Sequence, residues 1–246
     1  MKYTPLTMLI FGLVFTTSIN AQENTIHNLK KRVFTTEKIV KPPVIDGVLN
    51  DEAWEAVSWA TDFIENDPDE GTPPAYQTKF KITYDAKHLY VAVHSFDAEP
   101  SKIVKRLSRR DSFDGDRVSI VIDSYNDKRN GFSFTITAAG VKGDEFVSQN
   151  GNNWDESWNP IWYAATKITN DGWVAEMKIP FSQLKFGESK EQIWGLQMIR
   201  TFFRNNERSV WQRITKQASG WVSEFGTLRG LFDIQSQRQL EIQPFV

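Results

Sequence analysis

Alternating apolar and polar residues run through most of the chain after its first third. Phe80, Ile82 and Tyr84 alternate with lysine and threonine, and a second alternating run begins at Leu89 after a polar turn. A period of two is typical of strands that bury one face, so these two runs predict a β-hairpin. Further runs of this kind, bounded by Asp, Asn or Gly, predict strands at 118–122, 132–136, 173–179 and 194–198.

The first part of the chain carries different signals. A strand is predicted at 33–40, and it ends at a proline pair, because proline cannot continue a helix or a central strand. An Asp-Gly turn at 46–47 leads into a predicted short helix, which is capped by Asn50 or Asp51 and buries Trp54.

Long helices are not indicated between the predicted strands. Only 100–107 predicts a second short helix. Many short strands separated by turn residues favour two packed sheets over a parallel α/β sheet. The sequence therefore predicts an all-β fold, an antiparallel two-sheet β-sandwich of jelly-roll-like form with one or two short helices.

The N-terminal segment has the features of a secretory signal. Lys2 is followed by an apolar stretch at 6–15 and by small and polar residues, so cleavage is predicted after Ala21. The apolar stretch is shorter than the roughly 18 residues of a membrane-spanning helix. We therefore expect export to a bacterial periplasm or cell surface.

The predicted domain organisation follows from these signals. The segments are a signal peptide at 1–21, a lead at 22–38, the sandwich domain at 39–236 and the start of a following region at 237–246. The last of these begins a new alternating pattern.

Composition excludes several classes of function. The formal net charge of −2 provides no basic field for nucleic acid, so no nucleic-acid partner is expected. The absence of cysteine excludes disulfides, thiolate metal sites and a thiol nucleophile. Aromatic residues are abundant, with 9 Trp and 17 Phe, and most of the tryptophans lie in polar surroundings. These rings are candidates for ligand contacts.

Several stretches, taken in order, resemble a known family. Segments 43–47 with 51–54, 84–91 and 171–181 resemble the family 9 carbohydrate-binding module-like domain. Segments 109–111, 158–162, 194–196 and 240–246 are similar to Bacteroidetes-type outer-membrane proteins that carry this domain before an uncharacterised β-barrel region. The resemblance covers about 40–246. It implies a noncatalytic domain that binds carbohydrate and supports its catabolism or uptake. It also implies a C-terminal outer-membrane barrel as a partner.

Tryptophans in polar loops are the candidate sugar contacts. Sugars stack their apolar faces on aromatic rings, while amides and carboxylates bind the hydroxyls. Segment 151–160 combines both kinds of residue, and the polar stretch 208–224, with Trp211 and Trp221, could supply a second wall. The predicted carbohydrate-binding residues are Trp154, Trp158, Trp162, Trp211, Asn153, Asp155 and Arg110.

Arg110 has two interpretations. Its planar guanidinium suits a sugar ring oxygen or an acidic polysaccharide, or it pairs with neighbouring carboxylates.

A group of carboxylates around one predicted strand is a candidate metal site. Oxygen ligands suit calcium, and the resemblance implies structural calcium, because related modules hold it. The spacing is not that of the helix-loop-helix calcium motif, and solvated turn carboxylates are the alternative. No organic cofactor is expected. The candidate ligands are Asp111, Asp114, Asp116, Asp123 and Asp127.

Other functions remain open at this point. Trp-rich loops also suit a protein-docking domain of an outer-membrane barrel. A heme-binding sandwich would use His94, Met177 or Met198, for which core packing is the alternative. A glycoside hydrolase would need two positioned carboxylates, and no pair is singled out, so no catalytic residue is predicted.

Overall fold

The computed structural model describes residues 30–235 as an all-β sandwich of two sheets with only short helical turns. The predicted signal peptide at 1–21 and the following region at 237–246 lie outside the described residues. No helix within 30–235 has the length and apolar character needed to cross a membrane. The predicted sandwich is confirmed.

The first sheet contains nine of the described strands. Its main path runs β1 (Val33–Thr35), β14 (Gly226–Phe232), β12 (Glu191–Phe202), β6 (Arg117–Asp123), β7 (Gly131–Thr137), β8 (Lys142–Ser148) and β9 (Asn153–Asp155). Off this path, β13 (Glu207–Val210) pairs with β12 and with β3 (Ile64–Asp67).

The second sheet contains five strands. Its order is β10 (Tyr163–Thr169), β11 (Gly172–Pro180), β5 (His88–Phe96), β4 (Thr78–Tyr84) and β2 (Glu37–Lys38). The helical turns are all of the 3-10 type, at Glu52–Ala56, Pro100–Lys102, Gln149–Gly151, Phe181–Gln183, Phe203–Asn205 and Val222–Glu224.

The predicted first strand at 33–40 is divided between the two sheets. β1 pairs in parallel with β14, whereas β2 pairs in parallel with β4. Between them, the Thr36 amide donates to the Arg229 carbonyl at 2.9 Å, and the Thr36 hydroxyl donates to the Ile82 carbonyl at 2.8 Å. Both sheets are therefore mixed, although every other strand pairing is antiparallel.

The predicted short helices exist as single 3-10 turns, at Glu52–Ala56 and Pro100–Lys102. Asp51 makes no capping bond to the first of these, because its carboxylate accepts from the Val44 amide at 3.2 Å. Trp54 is buried as predicted.

The core lies between the two sheets and contains the alternating apolar residues of both. Phe80, Phe134, Trp173 and Trp194 are at most 1% exposed. Burying side chains of this size supplies most of the driving force for folding. Met177 and Met198, the heme-ligand candidates, lie fully buried in this core. His94 is half-buried, with Nε2 3.2 Å from the Asp171 carboxylate.

Glu176 fixes the segment that covers the outer face of the second sheet. Its carboxylate accepts from the backbone amides of Asp46 and Gly47, at 3.0 and 2.7 Å, and from Trp54 Nε1 at 3.1 Å. Gly47 has a φ of +82°, and a Cβ there would lie 3.0 Å from the Lys167 side chain. These contacts explain why the Asp-Gly turn, the tryptophan and the strand glutamate occur together in the sequence.

Arg200 connects the two sheets at one end of the sandwich. It belongs to β12, is 1% exposed, and donates from Nη1 and Nη2 to the carbonyls of Tyr76, Gln77 and Phe96 at 2.7–3.2 Å. These acceptors flank β4 and β5 of the second sheet.

Candidate functional site

The outer face of the first sheet is lined by polar residues at its centre. Ile120 and Phe134 point into the core, so the alternating neighbours Ser119 and Thr135 point outward. They are partners across β6 and β7, and their hydroxyl oxygens are 2.6 Å apart. Ser133 and Glu145 form a neighbouring pair on β7 and β8. Hydroxyls and a carboxylate therefore occupy the middle of this face.

A tryptophan pair lies at one end of the face. The rings of Trp154 and Trp221 are both half-buried, with centroids 5.0 Å apart, and Trp221 also contacts Phe225 at 4.6 Å. They pack on a small apolar cluster that includes Val121 and Val147. The pair forms a partly exposed aromatic surface on this side of the sheet.

The turn at Gln149–Gly151 holds this pair in place. Asn150 has a left-handed backbone, and its Oδ1 accepts from the amides of Trp221 and Ser223, at 3.1 and 2.8 Å. Trp154 Nε1 donates to the Gly151 carbonyl at 2.9 Å. A Cβ on Gly151 would lie 2.6 Å from the Cβ of Trp221, so only glycine fits.

A polar cleft of about 290 Å³ opens beside Trp221. Its wall is formed by the turn at 150–152, by residues 214–221 and by the end of β3. Amides, hydroxyls and one cation predominate in the lining, which includes Asn66, Asp67, Asn150, Asn152, Thr215, Lys216 and Ser219. An aromatic wall beside such groups matches the two requirements for holding a sugar.

Phe113 marks the other end of the face. Its ring lies against Gly143, where a Cβ would be 2.1 Å from the ring, and the Arg117 guanidinium is 5.4 Å from its centroid. Val147, which pairs with Trp154, is four residues further along β8 than Gly143. At about 3.3 Å per residue, roughly 13 Å of sheet surface separates the two aromatic ends.

Charged groups on this face have pKa values shifted by their surroundings. Burial and the carboxylates of Glu156 and Asp111 raise the pKa of Glu145. Burial and the positive charge of Arg208 lower the pKa of Arg117. The face thus carries charged groups that are partly removed from water.

Comparison with protein families decides which family the chain belongs to. The family model described as "Carbohydrate family 9 binding domain-like" matches residues 45–228. The chain belongs to this family. Comparison with curated proteins found no match to this chain.

Solved structures share its fold at low sequence identity. A family 9 carbohydrate-binding module from Caldicellulosiruptor kristjanssonii in complex with glucose has a TM-score of 0.60 and 20% identity, covering 87% of this chain and 100% of that chain. The module from this organism in complex with cellotriose gives 0.59 and 19%, with the same coverage. A putative carbohydrate-binding protein from Bacteroides uniformis gives 0.64 and 13%, covering 81% and 99%.

The structure separates the tryptophans that the sequence had grouped. Trp154 lies on the outer face, but Trp158 packs against the core rings of Phe132 and Phe134, at 5.0 and 5.4 Å. Trp162 and Trp211 are 1% and 4% exposed, so neither ring face is open to a ligand. These last two rings belong to the core.

The remaining predicted contacts are distributed around the edge of the sheet. Asn153 and Asp155 are exposed on β9, beside Trp154. Arg110 forms an ion pair with the buried Asp144 and donates to the Pro160 carbonyl at 3.2 Å, so its structural interpretation applies.

Sequence reasoning did not include Phe113, Glu145 and Arg208, interpreted Arg117, like Arg110, as pairing with neighbouring carboxylates, and noted Trp221 without including it in the site. A signal for Arg117 was present, since Arg117 and Ser119 alternate with the apolar residues of β6. The sequence does not show which face of the sheet stays open.

The five predicted calcium ligands do not come together. Within 30–235, no group of three or more His, Cys, Asp or Glu side chains could hold a metal ion. Asp116 accepts from the Val104 amide at 2.9 Å, and Asp123 accepts from the Lys128 amide at 2.8 Å. Of the others, Asp114 pairs with Arg106, Asp111 accepts from the Asp144 amide, and Asp127 accepts from the amides of Arg129 and Asn130. The residues do not fit one calcium site.

Thermal unfolding tests calcium binding directly. We expect the melting temperature of residues 22–246 to be the same in calcium and in chelator, because each of these carboxylates already has a partner. An increase with calcium that chelator reverses would contradict this, and would restore the expectation based on the resemblance.

Proposed function

We propose that this family 9 domain binds carbohydrate without catalysis, on the outer face of the first sheet. The observation that supports this proposal most directly is the half-buried pair of Trp154 and Trp221 beside a polar cleft. The glucose and cellotriose complexes of the similar modules support a saccharide as the ligand. Burial of Trp162 and Trp211 removes them from the proposed site.

The binding mechanism follows from the geometry of the face. The apolar side of a sugar ring stacks on the exposed surface of the tryptophan pair, where it displaces water from both partners. The hydroxyl of Ser119 and the carboxylate of Glu145, which are half-buried, lie toward Phe113 and bind sugar hydroxyls there. These hydrogen bonds to the sugar replace hydrogen bonds to water, so they contribute mainly specificity. The rigid turn around Asn150 keeps the rings in position before the ligand arrives.

The proposal extends to where the domain acts in the cell. The domain acts outside the inner membrane, where it holds polysaccharide or oligosaccharide for uptake or degradation, next to a C-terminal outer-membrane barrel. The predicted signal peptide at 1–21 and the resemblance to Bacteroidetes-type outer-membrane proteins support this setting. Fractionation of cells that express the tagged protein tests it, since recovery in the cytoplasmic fraction would contradict it.

Replacing Trp221 with alanine tests the binding function. We expect affinity for the saccharides that the parent binds to fall at least about tenfold, because the variant loses a central aromatic contact. Calorimetry of residues 22–246 against a glycan panel with glucose and cellotriose measures the change. Trp59→Ala is the matched control, because Trp59 is also half-buried but packs beneath Lys79 and Lys81 of the second sheet.

Two outcomes would contradict the proposal in different ways. Equal binding by the parent and the Trp221→Ala variant would move the site away from this face. Failure of the folded parent to bind any glycan would favour the protein-docking function.

A further inference from the structure

Two arginines on the outer face of the first sheet are sheltered from solvent, and their guanidinium groups have no hydrogen-bond or ion-pair partner among the described residues. Arg117 and Arg208 are half-buried, and within residues 30–235 neither side chain forms a hydrogen bond or an ion pair. Arg208 Nε is fully buried without an acceptor. Every other arginine in this range either bonds to an acceptor, as Arg110 does, or is exposed, as Arg129 is.

The two side chains leave the sheet from the same row of residues. Arg117 on β6 and Arg208 on β13 are both direct partners of Thr201 on β12, which lies between them. Two strand spacings place their Cα atoms about 10 Å apart, within reach of two long side chains that share one ligand. The charge of Arg208 lowers the pKa of Arg117, which indicates that the two guanidinium groups lie near each other.

Neighbouring carboxylates act on this pair through their charge but do not form ion pairs with it. Asp67 is opposite Arg208 in the strand register, and Glu145 acts on Arg117 through its charge. Neither carboxylate comes within ion-pair distance of these arginines. A guanidinium removed from water without a partner carries a desolvation cost that an incoming anion offsets. Its planar fork matches the oxygens of carboxylate and sulfate.

We propose that the saccharide bound on this face is anionic, and that Arg117 and Arg208 together hold its carboxylate or sulfate group. This inference rests on the proposed function, because it names the ligand class of the same site. Phe113 stacks beneath the Arg117 guanidinium and limits its movement, so the positive charge is oriented before the ligand binds.

Sugars that differ only at C6 test this inference. Glucose, glucuronate and glucose 6-sulfate share one ring, and cellotriose can be compared with its C6-oxidised and C6-sulfated forms. We expect at least one anionic form to bind about tenfold or more tightly than the neutral one at low salt, by calorimetry. The advantage should shrink as salt is added. Comparison of the carboxylate and sulfate forms identifies which anion the site binds.

The variants Arg117→Gln and Arg208→Gln locate the effect. Each should remove most of the preference for the anion while retaining binding of the neutral sugar through the tryptophan pair. Arg129→Gln is the matched control, because Arg129 is an exposed arginine in a turn, with no ion pair. The melting temperature of each variant checks that it is folded.

The outcomes separate this inference from the proposed function. Equal or weaker binding of both anionic forms, with neutral sugar still bound, overturns the anionic inference alone. A preference that persists in both glutamine variants also overturns it. If the folded parent binds neither neutral nor anionic sugars, the proposed function fails as well.

Discussion

Replacing Arg200 with alanine is expected to lower the free energy of unfolding by about 3–5 kcal/mol, because the change breaks a buried charged network. The carbonyls of Tyr76, Gln77 and Phe96 lose their donor. The buried Asp97 and Asp116 lose the nearby positive charge of Arg200. Burial lowers the pKa of Arg200 to about 10, so the side chain is still charged at neutral pH.

Denaturant unfolding of residues 22–246 measures this effect. Arg229→Ala is the control, because Arg229 is an exposed arginine with one ion pair, to Glu191 at 3.5 Å. We expect this control to cost at most about 1 kcal/mol. Similar losses in the two variants would show that the connection between the sheets adds nothing beyond an ordinary surface contact.

The second large effect is expected at Glu176. Glu176→Ala should cost about 3 kcal/mol, because three donors on the covering segment lose a buried, charged acceptor at once. The exposed Glu188 provides the control, and Glu188→Ala should change stability by less than about 0.5 kcal/mol. Equal effects would mean that the covering segment is held by its apolar contacts alone.

The pH dependence of this effect has a definite sign. Burial raises the pKa of Glu176 in the folded state, although the bonds from Gly47, Asp46 and Trp54 oppose the change. The folded state therefore binds the proton more tightly than the unfolded chain. The part of its contribution that depends on protonation is fully present below the unfolded pKa and is lost as pH rises through the folded pKa, while the three hydrogen bonds to the carboxylate remain.

Glu176→Gln makes this dependence measurable. We expect the parent's advantage over this variant to be larger near about pH 4 than near about pH 7, on either side of the carboxyl range. Denaturant unfolding at both pH values provides the comparison. An advantage that grows toward neutral pH would reverse the assigned shift.

Local periodicity predicted the regular part of the fold well. The alternating runs at 118–122, 132–136, 173–179 and 194–198 all lie within observed strands. The run at 33–40 was wrong as one strand, because its residues change partners at Thr36, from one sheet to the other. Alternation describes which way side chains point and carries no information about which strand pairs with which.

The candidate site was less predictable, because it depends on contacts between distant segments. Trp154 and Trp221 are far apart in the chain, and the Asn150 turn brings them together. Trp154 and Trp158 are close in sequence but pack on opposite faces of the first sheet. Trp211 lies in a polar stretch, yet its ring packs edge-on against Phe80 in the core.

The passage of the N-terminal strand from one sheet to the other has a practical consequence. The family match begins at residue 45, downstream of both β1 and β2. A fragment cut to 45–228 would lose β1, β2 and the last four residues of β14, so it would expose unpaired backbone groups along β4, the start of β12 and the remainder of β14, and such open edges invite pairing between molecules. We therefore expect the unit that folds independently to be larger than the family match, with its first residue upstream of Val33 and its last beyond Phe232.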